Sequence, residues 1–414
     1  MHIKKLCITT LCLVLLLQVK AQQNEVFFSD IHTLQTIVNQ DSNLPPILQL
    51  NSNDRIEISF DCLGHNYRRY QYVISHHNAD WTPSGLFELD YLSGFNNLPI
   101  EEYEPSVNTT MLYTHYSFSL PNNEVQLTKS GNYTVTVYEE NQPHSPAFKA
   151  CFSVAERKVT VSAHITTNTD IDFNKSHQQL SFTVNYAGYD IRNPQAEVKV
   201  QVLQNGRTDN MVTNLSPTYL TSSELKYEHN KQLIFPAGNE YRRFEITTTR
   251  YLSPGVESIK YFDPYYHATL YPDEPRTRNY IYDEDQNGRY VIRYNQAIDH
   301  STEADYFLVH FSFPRETPFA EGNLYLQGAF THNLLNEKSM LRYNVDTKAY
   351  ESVQVLKQGA YNYYYLFVPN DHPGKGNTTF TEGNFYQTEN EYLILIYHRP
   401  FNERHDKLIG YLVL

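Results

Sequence analysis

Three residues beside the chain's single tryptophan have side chains that do chemistry: His76, His77 and Asp80. They lie in the stretch YQYVISHHNADWTPSGLFELDYLSGF, residues 70–95. Paired imidazoles with a nearby carboxylate can ligate a metal or move a proton. Adjacency works against this, because successive side chains of an extended segment point to opposite faces. One ion could not take both rings without a bulge. Asp80 opens the turn ADWTPS, where a carboxylate can accept backbone N–H groups. The stretch therefore reads first as a hydrogen-bonded structural corner that packs Trp81, and second as a metal site.

A second cluster, DEDQNG, spaces Asp283, Asp285, Asn287 and Gly288 like half of a calcium loop. The twelfth position of such a loop would be Tyr294, where a bidentate glutamate is required. A turn between YIY and RYVIRY is the first reading, calcium the second. Of four cysteines, Cys7 and Cys12 fall in the N-terminal apolar run, leaving Cys62 and Cys151. In an oxidising compartment these two could form one disulfide, provided their Cα atoms come within about 7 Å; the alternative is two buried thiols. Glu101 and Glu102 are adjacent, and a glycosidase needs its two carboxyls to converge at a defined gap. G-x-S-x-G, H-E-x-x-H and C-x-x-C are absent, and HPGKGNTTF (372–380) lacks the spacing of a phosphate loop. No catalytic residue and no cofactor is therefore assigned.

The elements that would position these residues are strands. Against 16 glycines stand 35 tyrosines and 22 phenylalanines, a composition suited to pleated surfaces. In RIEISFDCL, Ile56, Ile58 and Phe60 share one face, and Asn205-Gly206 carries the signature of a type I′ turn. Many short strands between Gly, Asn and Pro turns predict an all-β fold of tandem immunoglobulin-like β-sandwiches with little helix. The expected blocks are 22–155, 156–280 and 281–414.

The opening MHIKK and the following apolar run LCITTLCLVLLLQV read as a secretory signal peptide over residues 1–21. Its removal deletes three lysines and no acid from a chain of net charge -13. That balance argues against nucleic acid as a partner, because counterion release favours basic surfaces. The longest late apolar run, YLILIY at 392–397, has strand length, so no span is expected in the mature chain.

The succession SFDCL, YQYVISHHNADWTPSGLFELDYLSGF, SVNTTMLYTHYSFSLPNNE and SGNYTVTVYEE resembles the type IX secretion system plug protein family of Bacteroidetes. The later NPQAEVKVQVLQNGR, DEDQNGRYVIR, ADYFLVHFSF and EGNFYQTENEYLILIYHR fit as well, so the likeness covers nearly the whole mature chain. It implies a periplasmic, non-enzymatic protein at the inner side of the outer membrane. Its partner would be the outer-membrane β-barrel translocon, whose periplasmic opening it closes when no substrate is in transit. Asp80, Trp81, Ser84 and Gly94 match the family signature, and the resemblance makes them structural first and barrel contacts second. The family pattern has cysteine at the position of His77 and an acid at that of Cys62. This departure argues against a shared catalytic or metal role for His77.

Two other classes fit parts of the sequence. Tyrosine-rich alternating strands also build integral outer-membrane barrels, although a regular series of roughly 10-residue hairpins is lacking. The third block resembles glycogen-binding sandwiches, which would make the chain an exported glycan-binding protein. Those domains stack sugars on tryptophan, however, and residues 331–333 are Thr-His-Asn.

Overall fold

Alternation decides the layers. Ile56, Ile58, Phe60 and Cys62 of strand Ile56–Leu63 are all buried on one face, against Phe148, Ala150, Phe152 and Val154 of strand Pro146–Ala155. The computed structural model describes residues 23–414, so the expected signal peptide lies outside the described residues. The fold is all-β, and its α-helices among the described residues are single turns of four residues.

The first core lies between two sheets. One is four-stranded, in the order Ile31–Val38, Ile56–Leu63, Tyr113–Leu120, Glu102–Pro105. The other is the half of a nine-stranded sheet that holds Pro146–Ala155, Gly131–Glu139 and Tyr70–His77. Aromatic rings fill the space: Phe60 lies 4.7 Å from Phe148 and 5.1 Å from Tyr116, centroid to centroid. Each such pair contributes about 1 kcal/mol beyond its buried area.

The nine-stranded sheet does not stop at the first core. Strand Pro146–Ala155 pairs in parallel with Lys407–Val413 through Ala155 and Leu408. The same ladder continues through Tyr392–His398 to Val198–Gln204. These last three strands face a five-stranded sheet built on His177–Asn185, and the second core lies between them. A third core, centred on Phe311, Leu326 and Tyr365, is enclosed by a separate nine-stranded sheet.

Core membership therefore differs from the serial blocks expected at 22–155, 156–280 and 281–414. Phe244, Val256 and Leu270 belong to the third core, whereas Tyr392, Ile394, Ile396 and Ile409 belong to the second. Strand periodicity tells which face is buried but carries no information about which distant strand becomes the neighbour. The Asn205-Gly206 turn shows the same limit. Both residues have positive φ, 53° and 64°, and the Arg207 N–H donates to the Gln204 carbonyl. Yet strand Val198–Gln204 takes its long ladder from Tyr392–His398, and the chain after the turn contributes only a single bridge, Val202 to Val212.

Candidate functional site

Strand Tyr70–His77 buries Tyr70, Tyr72, Ile74 and His76 on its core face, and the chain leaves it in a tight corner. His76 and His77 point apart. The His76 Nε2–H donates to the Ser130 carbonyl at 3.0 Å, and its ring packs edge-on to Tyr133. His77 donates from Nδ1 to the Trp81 carbonyl at 2.9 Å, and its Nε2 lies 3.0 Å from Ser75 Oγ. Asp80 accepts from both the N–H and the hydroxyl of Thr82. Thr82 holds the carboxyl below its ordinary range against the cost of partial burial. Trp81 sits at the apex with φ 60° and is half-buried rather than packed in a core. Ser84 closes the corner, donating its N–H to the His76 carbonyl at 3.1 Å.

This corner docks on the middle unit. Asp406, fully buried, accepts from the Ala79 N–H at 2.9 Å, from Lys199 at 3.0 Å and from Arg399 at 2.8 Å. Gln201 donates to the Ala79 carbonyl at 2.7 Å. Asn132 reaches the Asn78 carbonyl at 2.9 Å while accepting from Tyr397 and Ser153. Asn78 and Ala79 are thus the fastening points, and no local sequence signal pairs them with Asp406, more than three hundred residues later.

A second fastening joins the first unit to the third, and sequence reasoning missed it. Asp61 follows Phe60 on the outer face of strand Ile56–Leu63. Its carboxylate accepts from His115 Nδ1, Tyr306 OH and Lys357 Nζ, each at 2.6 Å. Lys357 also donates to the Ser301 carbonyl at 2.6 Å and lies 4.1 Å from the Tyr113 ring centroid. Burial alone would raise the Asp61 carboxyl, but Lys357 and His115 outweigh it and hold it below the carboxylate range. Nearby, Asp305 takes the Thr110 N–H and hydroxyl and the Met111 N–H. An acid beside an imidazole, a phenol and an ammonium could move protons, but Tyr306 and Lys357 are buried with it, only His115 is partly exposed, and Asp61 itself has no exposed surface.

The other sequence candidates are dispersed. Asp285 accepts from the backbone N–H groups of Tyr241 and Asn287, Asp283 pairs with Arg243 at 3.2 Å, and Asn287 is left-handed at φ 50°. These residues shape a turn and share no centre. Among the described residues, no three His, Cys, Asp or Glu side chains stand together as metal ligands. The disulfide considered for Cys62 and Cys151 is not formed, and both thiols are free and buried. Alternation is the reason: Cys62 points into the first core with Phe152, whereas Cys151 points to the opposite face of its sheet. A cleft of about 1010 Å³ separates the first and third units and includes Thr331 and His332 in its lining.

Outward from the corner the apolar side chains turn to solvent. Phe87 is 73% exposed, Leu89 86%, Phe95 69% and Phe401 100%. Arg404 packs on one of them, with its guanidinium 5.5 Å from the Phe87 ring and 3.1 Å from Asp90. Asn96, next to Phe95, donates to Glu88 at 2.9 Å. Gly94 allows this arrangement: it has φ 115°, and a Cβ there would sit 2.0 Å from the Glu124 carbonyl oxygen. Phe87, Leu89 and Phe95 fall within nine residues of one another, and the exposed apolar side chains of this segment have the charged Asp90 and Arg404 beside them.

Sandwich cores fused by a shared sheet and buried ion pairs, with Asp61, Asp406 and His76 turned inward, define an all-β protein of several joined sandwiches. Residues 31–156 match the family model described as type 9 secretion system plug protein 1st domain. A hypothetical protein from Parabacteroides merdae, known from its crystal structure, is 44% identical with a TM-score of 0.93. The alignment covers 95% of this chain and 98% of that one. No curated protein matches. The chain belongs to the type IX secretion system plug family and is thereby associated with that secretion system. No helix among the described residues is long and apolar enough to cross a membrane.

Proposed function

We propose that the protein is a non-enzymatic gating subunit of the type IX secretion system. In this reading it resides in the periplasm and closes the periplasmic opening of the outer-membrane translocon barrel when no substrate is in transit. The observation that carries the reading is the exposed apolar corner of Phe87, Leu89 and Phe95, which lies within the segment matched by the plug model. A plug needs no turnover, only a stiff body and a surface that gains by being covered. Internal spending of Asp61, Asp406, His76 and His77 supports a role without catalysis.

The rival reading as a membrane barrel meets an opposing pattern. Its strands would turn apolar side chains outward to lipid, whereas here the first core collects them between two layers. The test is purification of the translocon in native detergent. The protein should accompany it, and deletion should leave the outer membrane permeable to small toxic solutes. Absence from the purified complex together with unchanged permeability would end the proposal.

A further inference from the structure

One pair of residues at the corner is left without a role by these contacts. His76 in the first unit and His405, in the turn before strand Lys407–Val413, meet across the junction with ring centroids 5.4 Å apart. Their planes are inclined by 77°. Both residues are buried, at 3% and 2% exposure. His76 uses its Nε2–H, but its Nδ1 has no partner, and neither ring nitrogen of His405 has one. A neutral imidazole carries one N–H, so His405 leaves a donor and an acceptor without a protein partner. A phenyl ring would leave nothing unpaired in the same space. What the histidine adds is titration.

The surroundings offer a second proton little support. Around His76 stand Tyr91, Tyr133 and the backbone of Gly131, where a Cβ would lie 2.5 Å from Nε2. The adjacent Asp406 carboxylate is already taken by Ala79, Lys199 and Arg399, and the neighbouring charge on the same strand would come from His77. Glu403 approaches His405 Nδ1 only to 3.8 Å and is engaged by Lys407 at 2.9 Å. The remaining charges near His405, Lys129 and Glu156, oppose each other. Burial holds His76 down to about 4 and lowers His405 as well.

We propose that His76 and His405 form an acid-sensitive latch between the first and middle units, closed while both rings are neutral and released when either takes a proton. A second N–H on His76 finds no protein acceptor in this contact, and one on His405 finds only the Glu403 carboxylate at 3.8 Å, already engaged by Lys407. The sign follows from linkage: the opened state binds protons more readily, so the contact weakens as pH falls below the ordinary histidine value of about 6.5. The latch is independent of the plug reading and holds or fails by itself.

Hydrogen exchange on the full mature chain, at pH 7.5 and 4.5 and corrected for chemical rate, tests it. Residues 76–84 and 399–406 should open more at the lower pH by roughly fifty- to a hundredfold relative to strand Tyr306–Pro314, the factor given by about two pH units of preferential proton uptake between 6.5 and 4.5. His405→Phe should reduce that gain to the part His76 alone contributes and raise the melting temperature at pH 7.5. An equal acid response in wild type and variant, or a uniform rise in all three units, would overturn the latch. Should the variant fail to fold, imidazole NMR titration of the wild type decides: values below 6.5 for both rings support it, and values at or above 6.5 overturn it.

Discussion

The first unit is held by two junctions of different construction. Toward the middle unit, main chain crosses the boundary: the sheet is continuous through Ala155 and Leu408, and the Glu156 N–H donates to the Leu408 carbonyl. Toward the third unit no sheet is shared, and the contact rests mainly on side chains around Asp61, Lys357 and Asp305. The comparison teaches that a ladder tolerates the loss of any one side chain, whereas a buried ion pair does not. Removing one partner strands the other without water.

The sharpest way to break the second junction is Lys357→Met, which leaves Asp61 buried without its ammonium. Urea unfolding should show a loss of about 3–5 kcal/mol, and pairing the change with Asp61→Leu should restore most of it. At the first junction, Asp406→Asn removes the charge that faces Lys199 and Arg399 but leaves the ladder intact. The expected loss is about 2 kcal/mol by the same measurement, smaller than at Lys357. Gly94→Ala places a methyl against the Glu124 carbonyl in a left-handed conformation. It should cost about 1–3 kcal/mol and weaken co-purification with the translocon.

Acid sharpens the contrast further. Because Asp61 is depressed when folded, its contribution is complete above the unfolded carboxylate value of about 3.9 and fades as pH falls through the folded value. Urea midpoints measured from pH 5 downward should therefore decline less steeply in the Asp61→Leu, Lys357→Met double variant. The smallest effect on stability belongs to the rim. Replacing Phe87, Leu89, Phe95 and Phe401 by serine should change unfolding by less than about 0.5 kcal/mol per site. On the proposed gating role, binding to the translocon should nonetheless be lost. Retained binding would move the docking surface elsewhere.

The sequence made some of this legible, and the two junctions mark the boundary. Alternation at Ile56, Ile58 and Phe60 identified a core face, because period two is a local property. The opposition of His76 and His77 followed from the same rule. Asp61 was invisible for the complementary reason: on the outer face of a strand an acid looks solvated, and only the arrival of Lys357 and Tyr306, hundreds of positions later, buries it. Asp406 was hidden similarly, since its partners Ala79, Lys199 and Arg399 come from three separate segments. The corner at 78–84 could be read as hydrogen-bonded, but what it fastens to could not.

The last hairpin, Tyr392–His398 with Lys407–Val413, supplies the inner wall of the second core and lies between strands that precede it by about two hundred residues or more. A polypeptide emerging N-terminus first therefore cannot finish its middle unit until its final residues arrive. The chain remains partly open for almost the whole of its synthesis, and it acquires its final packing only at the end.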